Sequence, residues 1–283
     1  MYWVIQEDLH HEEGLQELAR VLERVNIPHS FHKVVPFVGE IIPEINPPNP
    51  VIAIGAYSMI NYARRHSWFP GVFSNGNFDF QIWSHHWHGH CLNDDAQVYH
   101  FAEVPEQPEP FFMRPVMDSK EFAGAVFDYP EYLEWRHRVV DLREDTGTTL
   151  KPQTPVLICA SKEIMREYRL WVVDHKIVTA SLYKIGSRVV YDGNVDDDVI
   201  LFGTNLVTDM PPTRWVPDRA FVLDIALTPD GFKIIEINCL NAAGLYAANV
   251  GKLVEAIENM GYNQSYGPSW SARGITSIKR FRK

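Results

Sequence analysis

Phe221-Val-Leu-Asp-Ile-Ala-Leu-Thr-Pro-Asp-Gly-Phe-Lys-Ile-Ile-Glu-Ile-Asn238 is the stretch whose reading decides the fold of this chain. Two apolar runs flank Pro229-Asp230-Gly231, a strong turn signal, so the segment is expected to form a β-hairpin. With the turn centred on Asp230, Asp224 and Glu236 each lie six residues from the centre and face one another. Strand alternation then puts Asn238 on the same face as Glu236. Like charges directly opposed on a sheet destabilise it unless something compensates, and Asp, Asn and Glu are poor strand formers among aliphatics. A divalent cation would resolve the conflict. Oxygen ligands alone suit Mg²⁺, which usually completes its shell with water and phosphate oxygens, so the cation in turn suggests a nucleotide. The bland alternative is the solvated outer face of an edge hairpin. It accommodates Asp224 and Glu236, but less well Asn238, which leads into the uncharged run Cys239-Leu-Asn-Ala-Ala-Gly244.

Working outward, Tyr2 to Ile5 reads as a short buried strand, and Glu12 to Val25 sets Leu15, Leu18, Ala19, Leu22 and Val25 along one helical face. Val34 to Val38 and Val51 to Ile54 read as further strands, with Ser58 expected to cap a helix running to Arg65. This is an alternating β-α-β beginning, the pattern of a small layered α/β unit. From Trp68 to Pro110 the periodicity gives way to aromatics, histidines, Asn and Pro. The prolines of Val104-Pro-Glu-Gln-Pro-Glu-Pro110 resist both helix and central strand and mark the expected boundary. Beyond it, strands are expected at Phe111 to Met113, Val156 to Ile158, Tyr168 to Val173, Ile177 to Leu182 and Phe221 to Leu227, with helices at Pro130 to Asp141 and Tyr246 to Met260. The expected organisation is therefore a small α/β domain over residues 1–105, an α+β region over 106–265 and a basic tail over 266–283.

In these residues the chain resembles the ATP-grasp superfamily, whose final core strands carry an Asp and, about a dozen residues later, Glu-x-Asn. Asp224 and Glu236-Ile-Asn238 match that pattern. The upstream segments fall in the family's order. A phosphate-binding strand would correspond to Phe111 to Phe122, with Arg114-Pro115 and Lys120. An adenine hinge would be Ile158, Cys159 and Ala160, followed by Glu167 as the acid that holds the ribose. Alternation puts Glu167 and Arg169 on one strand face, where the acid can bind sugar hydroxyls while the guanidinium reaches phosphate or a developing oxyanion. The similarity is closest to the ATP-grasp clade named for two arginines and one lysine, for which Arg114, Lys120 and Arg169 are the candidates. It spans Phe111 to Met260, and the residues before it correspond to the clade's variable leading domain. Two departures stand out. No glycine-rich phosphate loop follows Arg114, and Val222 stands where many peptide-ligase relatives have an Arg two residues before the metal Asp.

The resemblance implies an ATP-grasp fold with a small N-terminal β-α-β domain, ATP and Mg²⁺ as cofactors, and Asp224, Glu236 and Asn238 as metal ligands. It implies that a carboxylate is activated as an acyl phosphate and that an amine then displaces the phosphate. Arg169 and Lys120 would be the catalytic cations, with Arg114 joining them at the phosphates. Such chemistry needs positioning and neutralised charge rather than a protein nucleophile. Tyr183, Lys184, Asn241, Gly244 and Tyr246 are candidates for shaping the acceptor pocket. Small-molecule or peptide carboxylates and amines are the expected partners. A phosphotransferase or a nucleotide-binding module without turnover would use the same fold.

A formal net charge of −10 excludes a surface built throughout for nucleic acid, so any phosphate site must be local. The exception is Ser269 to Lys283, with Arg273, Lys279, Arg280, Arg282 and Lys283 and no acid, read as a solubilising tail or, less readily, a nucleic-acid contact. Cys91, Cys159 and Cys239 are too scattered for a disulfide framework, and no apolar run reaches membrane-spanning length, so a cytoplasmic setting and no membrane partner are expected. His85, His86, His88, His90 and Cys91 are dense in metal-ligating atoms but lack a second, separated pair. An aromatic, polar loop near the cleft is the preferred reading. Asp192 to Asp198 begins like a calcium loop but lacks its glycine and closing Glu, and is read as a solvated loop.

Overall fold

The structure is a computed structural model and describes residues 1–9, 13–35, 38–73, 79–117, 121–142, 149–209 and 215–261. Its first layer contains β1 (Tyr2–Gln6), α1 (Glu13–Arg24), β2 (His29–Val34), β3 (Ile41–Ile42), β4 (Val51–Ile54), α2 (Tyr57–Arg65) and β5 (Pro70–Gly71). The strands lie in the order β3-β2-β1-β4-β5, with β1 parallel to both β2 and β4. After α3 (Phe80–His86) come β6 (Gln97–His100), β7 (Phe111–Pro115), β8 (Ala125–Phe127), α4 (Tyr129–Arg136) and β9 (Pro155–Ala160), giving an antiparallel sheet β6-β9-β7-β8. The third sheet has the order β12-β11-β10-β13-β14, built from β10 (Arg166–Val173), β11 (Lys176–Ile185), β12 (Arg188–Asp192), β13 (Ala220–Thr228) and β14 (Gly231–Cys239). Two further helices, α5 (Asp197–Thr208) and α6 (Val250–Glu258), cover it.

Alternation along β10 explains why both faces of this third sheet are covered. Tyr168, Leu170 and Val172 pack with Val199 and Leu206 of α5, while Trp171 and Val173 join Leu15, Leu18 and Leu22 of α1 and Leu253, Val254 and Ile257 of α6. The second core also takes Trp3, Ile5 and Ile52 of the first layer, so the β-α-β beginning and the late hairpin share one interior. β6 lies before the expected boundary at 105, yet it pairs with β9 in the second sheet. The proline-rich stretch therefore crosses between packed elements.

Several local expectations shift. β2 ends at Val34, where a strand was expected to begin, because His29-Ser-Phe-His-Lys-Val34 is half-buried and reads as polar until β1 pairs with it. Helix α2 begins at Tyr57 with Ala56 as its cap, and no side chain of its own caps it; Ser58 lies inside. The Ala56 N–H instead donates to Gln6 Oε1 at 2.9 Å. The acidic run starts α5, with Asp196 at the cap and Asp197 and Asp198 in the first turn, where negative charge meets the positive helix end. The last helix begins at Val250, capped by Asn249, so Gly244 to Ala248 precede it. Helix α4 continues through His137–Asp141 as a π-helical turn.

Asn241 joins the hairpin to the first layer. Its amide nitrogen donates to the carbonyls of Ala53 at 2.6 Å and Gly71 at 3.3 Å, and its Oδ1 accepts from Phe73 N–H at 2.8 Å. The side chain is 1% exposed. Its burial and its bonds make it a brace, which corrects its expected place in an acceptor pocket. Asn241→Ala should cost about 3 kcal/mol by leaving buried backbone groups without partners, visible as a lower urea midpoint at unchanged m-value.

Candidate active site between the two antiparallel sheets

The hairpin reaches the expected pairing by a route that the turn alone does not give. Thr228 pairs with Gly231 across a two-residue loop, Pro229 and Asp230, and Gly231 takes φ +100°, where a side chain would be strained. Ile225 pairs with Ile234, and continuing that register would set Ile235 against Asp224. A bulge at Ile235 absorbs one residue, so Asp224 pairs with Glu236. Ile235 and Glu236 then both line the cavity. A second bulge sits in β11, where Glu167 pairs with Lys184 but Tyr168 pairs with Leu182. It turns both Tyr183 and Lys184 toward Glu167. The two bulges lie on opposite sides of β10 and β13 and aim adjacent residues at the same space.

Across β10 and β13, Arg169 is the direct partner of Asp224. Its Nε donates to Asp224 Oδ1 at 2.8 Å and its Nη2 to Oδ2 at 2.7 Å, a bidentate pair buried in the sheet. Arg169 Nη1 donates to the Gly244 carbonyl at 3.3 Å. On the other side, Arg114 Nη1 meets Glu236 Oε2 at 3.1 Å. Asn238 stands between the acids, its Nδ2 donating to Glu236 Oε1 at 2.7 Å and to Asp224 Oδ2 at 3.3 Å. Asp224, Glu236 and Asn238 thus converge, the two carboxylates facing one another across the strand pair and bridged by the Asn238 amide. This oxygen-rich set fits a hard divalent cation.

Burial pushes the Asp224 carboxyl up from 3.8 to about 6, outweighing the opposing effect of the Arg169 charge. Burial by itself would lower the Arg169 pKa, but Asp224 raises it, so the guanidinium stays charged. Burial, then the charges of Asp224 and Glu167, raise Tyr183, which remains a neutral donor. Burial raises Cys159 to about 11 and Cys239 to about 12, so neither thiol is poised as a nucleophile.

A cavity of about 770 Å³ opens between the two antiparallel sheets. Arg114, Glu167, Tyr183, Lys184 and Glu236 line it, and Asp224 lies one strand behind Glu236. Glu167 accepts from Tyr183 Oη at 2.8 Å and pairs with Lys184 Nζ at 2.6 Å. Of the three hinge candidates only Ala160 reaches the cavity. Ile158 is buried with Phe111 and Met113, and Cys159 lies in the neighbouring core, its thiol donating to Asn93 Oδ1 at 3.2 Å. Lys120 lies outside the described residues, as does the basic tail. Gly244 and Tyr246 lie against Arg169, the Tyr246 ring 4.6 Å from its guanidinium carbon. Val222, one of the two departures noted in the sequence, is fully buried in the apolar core.

The cavity also draws on residues that the sequence pattern did not single out. Lys162 lies directly after the hinge strand, and its Nζ is held by Asp95 at 2.6 Å and by the Ala160 carbonyl at 3.2 Å. Ala123-Gly124-Ala125 forms a small-residue wall, a signal that was visible as a run of side chains without bulk. Leu92 and Asn93 bring the histidine-rich segment to the cavity edge. The histidines themselves diverge. His86 is buried against Trp87 and Trp215, while exposed His88 stands 3.4 Å from Asp94. Among the described residues no group of three or more His, Cys, Asp and Glu side chains is arranged to hold a metal. No helix of the described residues is long and apolar enough to cross a membrane.

A family profile described as an ATP-grasp domain, family 3 of the clade named for two arginines and one lysine, matches residues 43–257. The chain belongs to that ATP-grasp family. The match begins well before Phe111, so it takes in part of the leading layer as well as the hairpin. Among solved structures, this ATP-grasp chain is similar to the D-cycloserine synthetase DcsG at 11% identity and a TM-score of 0.59, over 90% of this chain and 98% of that one. It is similar to a RimK domain ATP-grasp protein from Sphaerobacter thermophilus DSM 20745 at 13% identity and a TM-score of 0.58, over 91% and 100% of the two chains. A third likeness is to the ATP-grasp ligase PsnB, solved with a minimal precursor, Mg and ADP, at 13% identity and a TM-score of 0.51, over 91% and 97%. At such identities these likenesses speak for the fold. No curated protein matches the sequence.

The raised carboxyl of Asp224 has a signature in stability. Between the ordinary value of 3.8 and the folded value of about 6, the folded chain binds a proton that the unfolded chain releases. Asp224 therefore makes stability fall as pH rises through that window. Asp224→Asn should remove this component, flattening the dependence in urea melts between the two values; parallel curves for variant and wild type would contradict the assignment.

Proposed function

We propose that this chain is an ATP-dependent ligase that activates a carboxylate as an acyl phosphate and joins it to an amine, releasing ADP and phosphate. The observation that carries this reading is the pairing of Asp224 with Glu236 beside a cavity of about 770 Å³, with Arg169 and Arg114 on their two sides. A cavity of roughly 300 to 1,000 Å³ is the usual size for a small-molecule or cofactor site.

In this reading Asp224, Glu236 and Asn238 would hold Mg²⁺, which when bound neutralises phosphate charge. Glu167 holds the ribose hydroxyls, with Tyr183 and Lys184 fixing its orientation. Arg114 and Lys120 engage the phosphates. Arg169 stands at the reacting end, where a guanidinium stabilises charge that develops on phosphoryl or acyl oxygens. It also supplies the cation that relatives place two residues before the metal Asp. Ala160 and Lys162, which also line the cavity, would border the base. A substrate carboxylate attacks the γ-phosphorus, the bond to the ADP oxygen breaks, and the amine then displaces phosphate through a tetrahedral intermediate. The protein supplies alignment and charge, and no buried thiol is called on.

PsnB is a ligase with a peptide precursor and DcsG makes a small molecule, so acids and amines of either size are candidates here. A reaction that consumes ATP fits a cytoplasmic setting.

The deciding assay follows nucleotide binding and ADP release with and without Mg²⁺, in the presence of pooled carboxylates and amines. Wild type should release ADP in a metal-dependent way, and Asp224→Asn/Glu236→Gln should lose about 100-fold or more, the scale on which removing transition-state charge stabilisation acts. Folded wild type that binds no Mg-ATP would sink the ligase reading.

A further inference from the structure

Gly244-Leu-Tyr-Ala-Ala-Asn249 follows the metal-candidate strand and contains one conformational exception. Tyr246 has φ +45°, a left-handed conformation that aromatic residues rarely adopt. The segment is fixed on both sides of it. Leu245 is buried so closely against Gly14 that a Cβ on that glycine would lie 2.3 Å from the leucine's own. Ala247 N–H donates to Ser181 Oγ at 3.2 Å, and Asn249 N–H donates to Thr179 Oγ1 at 2.8 Å. Gly193, at the end of β12, has no room for a Cβ because the Ala247 carbonyl would lie 2.7 Å away. The left-handed turn between these anchors sends the tyrosine ring back over the sheet.

There the ring meets a cation. Its centroid is 4.6 Å from the Arg169 guanidinium carbon, with the Tyr183 ring at 5.7 Å from the same atom. Tyr191 stacks on Tyr246 at 4.9 Å and 11°, and is itself 50% exposed. Asp224 and the Gly244 carbonyl take three of the five N–H donors of Arg169 and so set the plane of the group. The Tyr246 ring presents its face to the carbon of the same group. A tyrosine present only to fill an apolar core would need neither the strained backbone nor a charged partner, and strain of this kind is retained where surrounding contacts hold it in place.

We infer that Tyr246, backed by Tyr191, is a positioning residue that locks the Arg169 guanidinium in the orientation required at the reacting end of the site. This deepens the ligase reading and rests on it for the effect on nucleotide, while the effect on Arg169 itself is measurable without any ligand.

The test follows the Arg169 side-chain Nε–H by nitrogen-15 NMR, assigned with Arg169→Lys, in wild type, Tyr246→Phe, Tyr246→Gly and Tyr191→Ala. Glycine suits the left-handed backbone, so that variant removes the ring without forcing the loop to unwind. Tyr246→Phe should keep the wild-type signal. Tyr246→Gly should speed Nε–H exchange at least about tenfold and weaken Mg-AMPPNP binding about tenfold, with Tyr191→Ala between them. Unchanged Nε–H protection in Tyr246→Gly overturns the positioning role. Should that variant fold poorly, wild-type protection in Tyr191→Ala overturns the backing role. Wild type that binds no Mg-AMPPNP counts against the ligase reading alone, and the exchange rates still decide the role of Tyr246.

Discussion

Asp224 is a carboxylate placed in the middle of an apolar sheet, and the bidentate bond from Arg169 is what makes that placement tolerable. Neither residue can be understood alone. Removing one partner of a buried ion pair leaves an uncompensated charge, and the cost of that is several times what the intact pair contributes. Glu236 repeats the arrangement nearer the cavity with Arg114 as its partner. The two acids and two arginines come from four strands in two different sheets, β7 in one and β10, β13 and β14 in the other. Electrostatic balance within the site therefore ties the sheets together around the cavity. It also explains how an acidic chain, with net charge −10, presents cations to a phosphate-sized target: they are gathered locally and held by the acids they neutralise.

The bulges at Ile235 and Tyr183 carry the geometry from the sheet into the cavity. A regular strand sends neighbours to opposite faces, so at any level a strand can offer one side chain. Each bulge breaks that rule once, giving Ile235 with Glu236 on one side and Tyr183 with Lys184 on the other. Glu167 depends on this most directly, since both of its side-chain partners come from the bulged pair. Bulges are frequent beside active sites for this reason, because they re-aim side chains without disturbing the core beneath. Here that core is substantial, with β10 buried by α5 on one face and by α1 and α6 on the other.

Much of this was legible in the sequence, and the exceptions are physical. Asp224 facing Glu236 follows from a count about Asp230, yet the actual loop is Pro229-Asp230 and the bulge supplies the missing residue. Two departures from the simple hairpin cancel, so the pairing is right although its derivation omitted both. Arg169 beside Glu167 followed from alternation, whereas its bond to Asp224 needed the β10–β13 register, which no local pattern carries. Asn241 looked like a pocket residue because it follows the metal-candidate strand. Its role as a brace depends on carbonyls about 170 to 190 positions away in the chain. The last helix was expected from Tyr246 to Met260; bonds from Ala247 N–H to Ser181 and from Asn249 N–H to Thr179 hold the preceding segment to the sheet, and the helix begins at Val250.

Under the ligase reading, the same constraints give a reason why an acceptor side would be built differently from a nucleotide side. Around Glu167, Lys184 and Arg114, each charge has an opposite charge within hydrogen-bonding distance, and the groups are set by rigid strands. Beyond Arg169 the boundary passes to a loop whose only large side chains are Leu245, buried, and Tyr246, stacked on a half-exposed tyrosine of β12. In that reading a shared cosubstrate rewards a fixed framework, while differing acceptors would be accommodated by loops laid over it. In this chain the loop is bound to the framework at Gly244, Ala247 and Asn249, so its aromatic lining and the Arg169 plane are set together. Under the ligase reading, a change in this loop would therefore act on Arg169 as well, and selectivity and rate would be coupled through Tyr246.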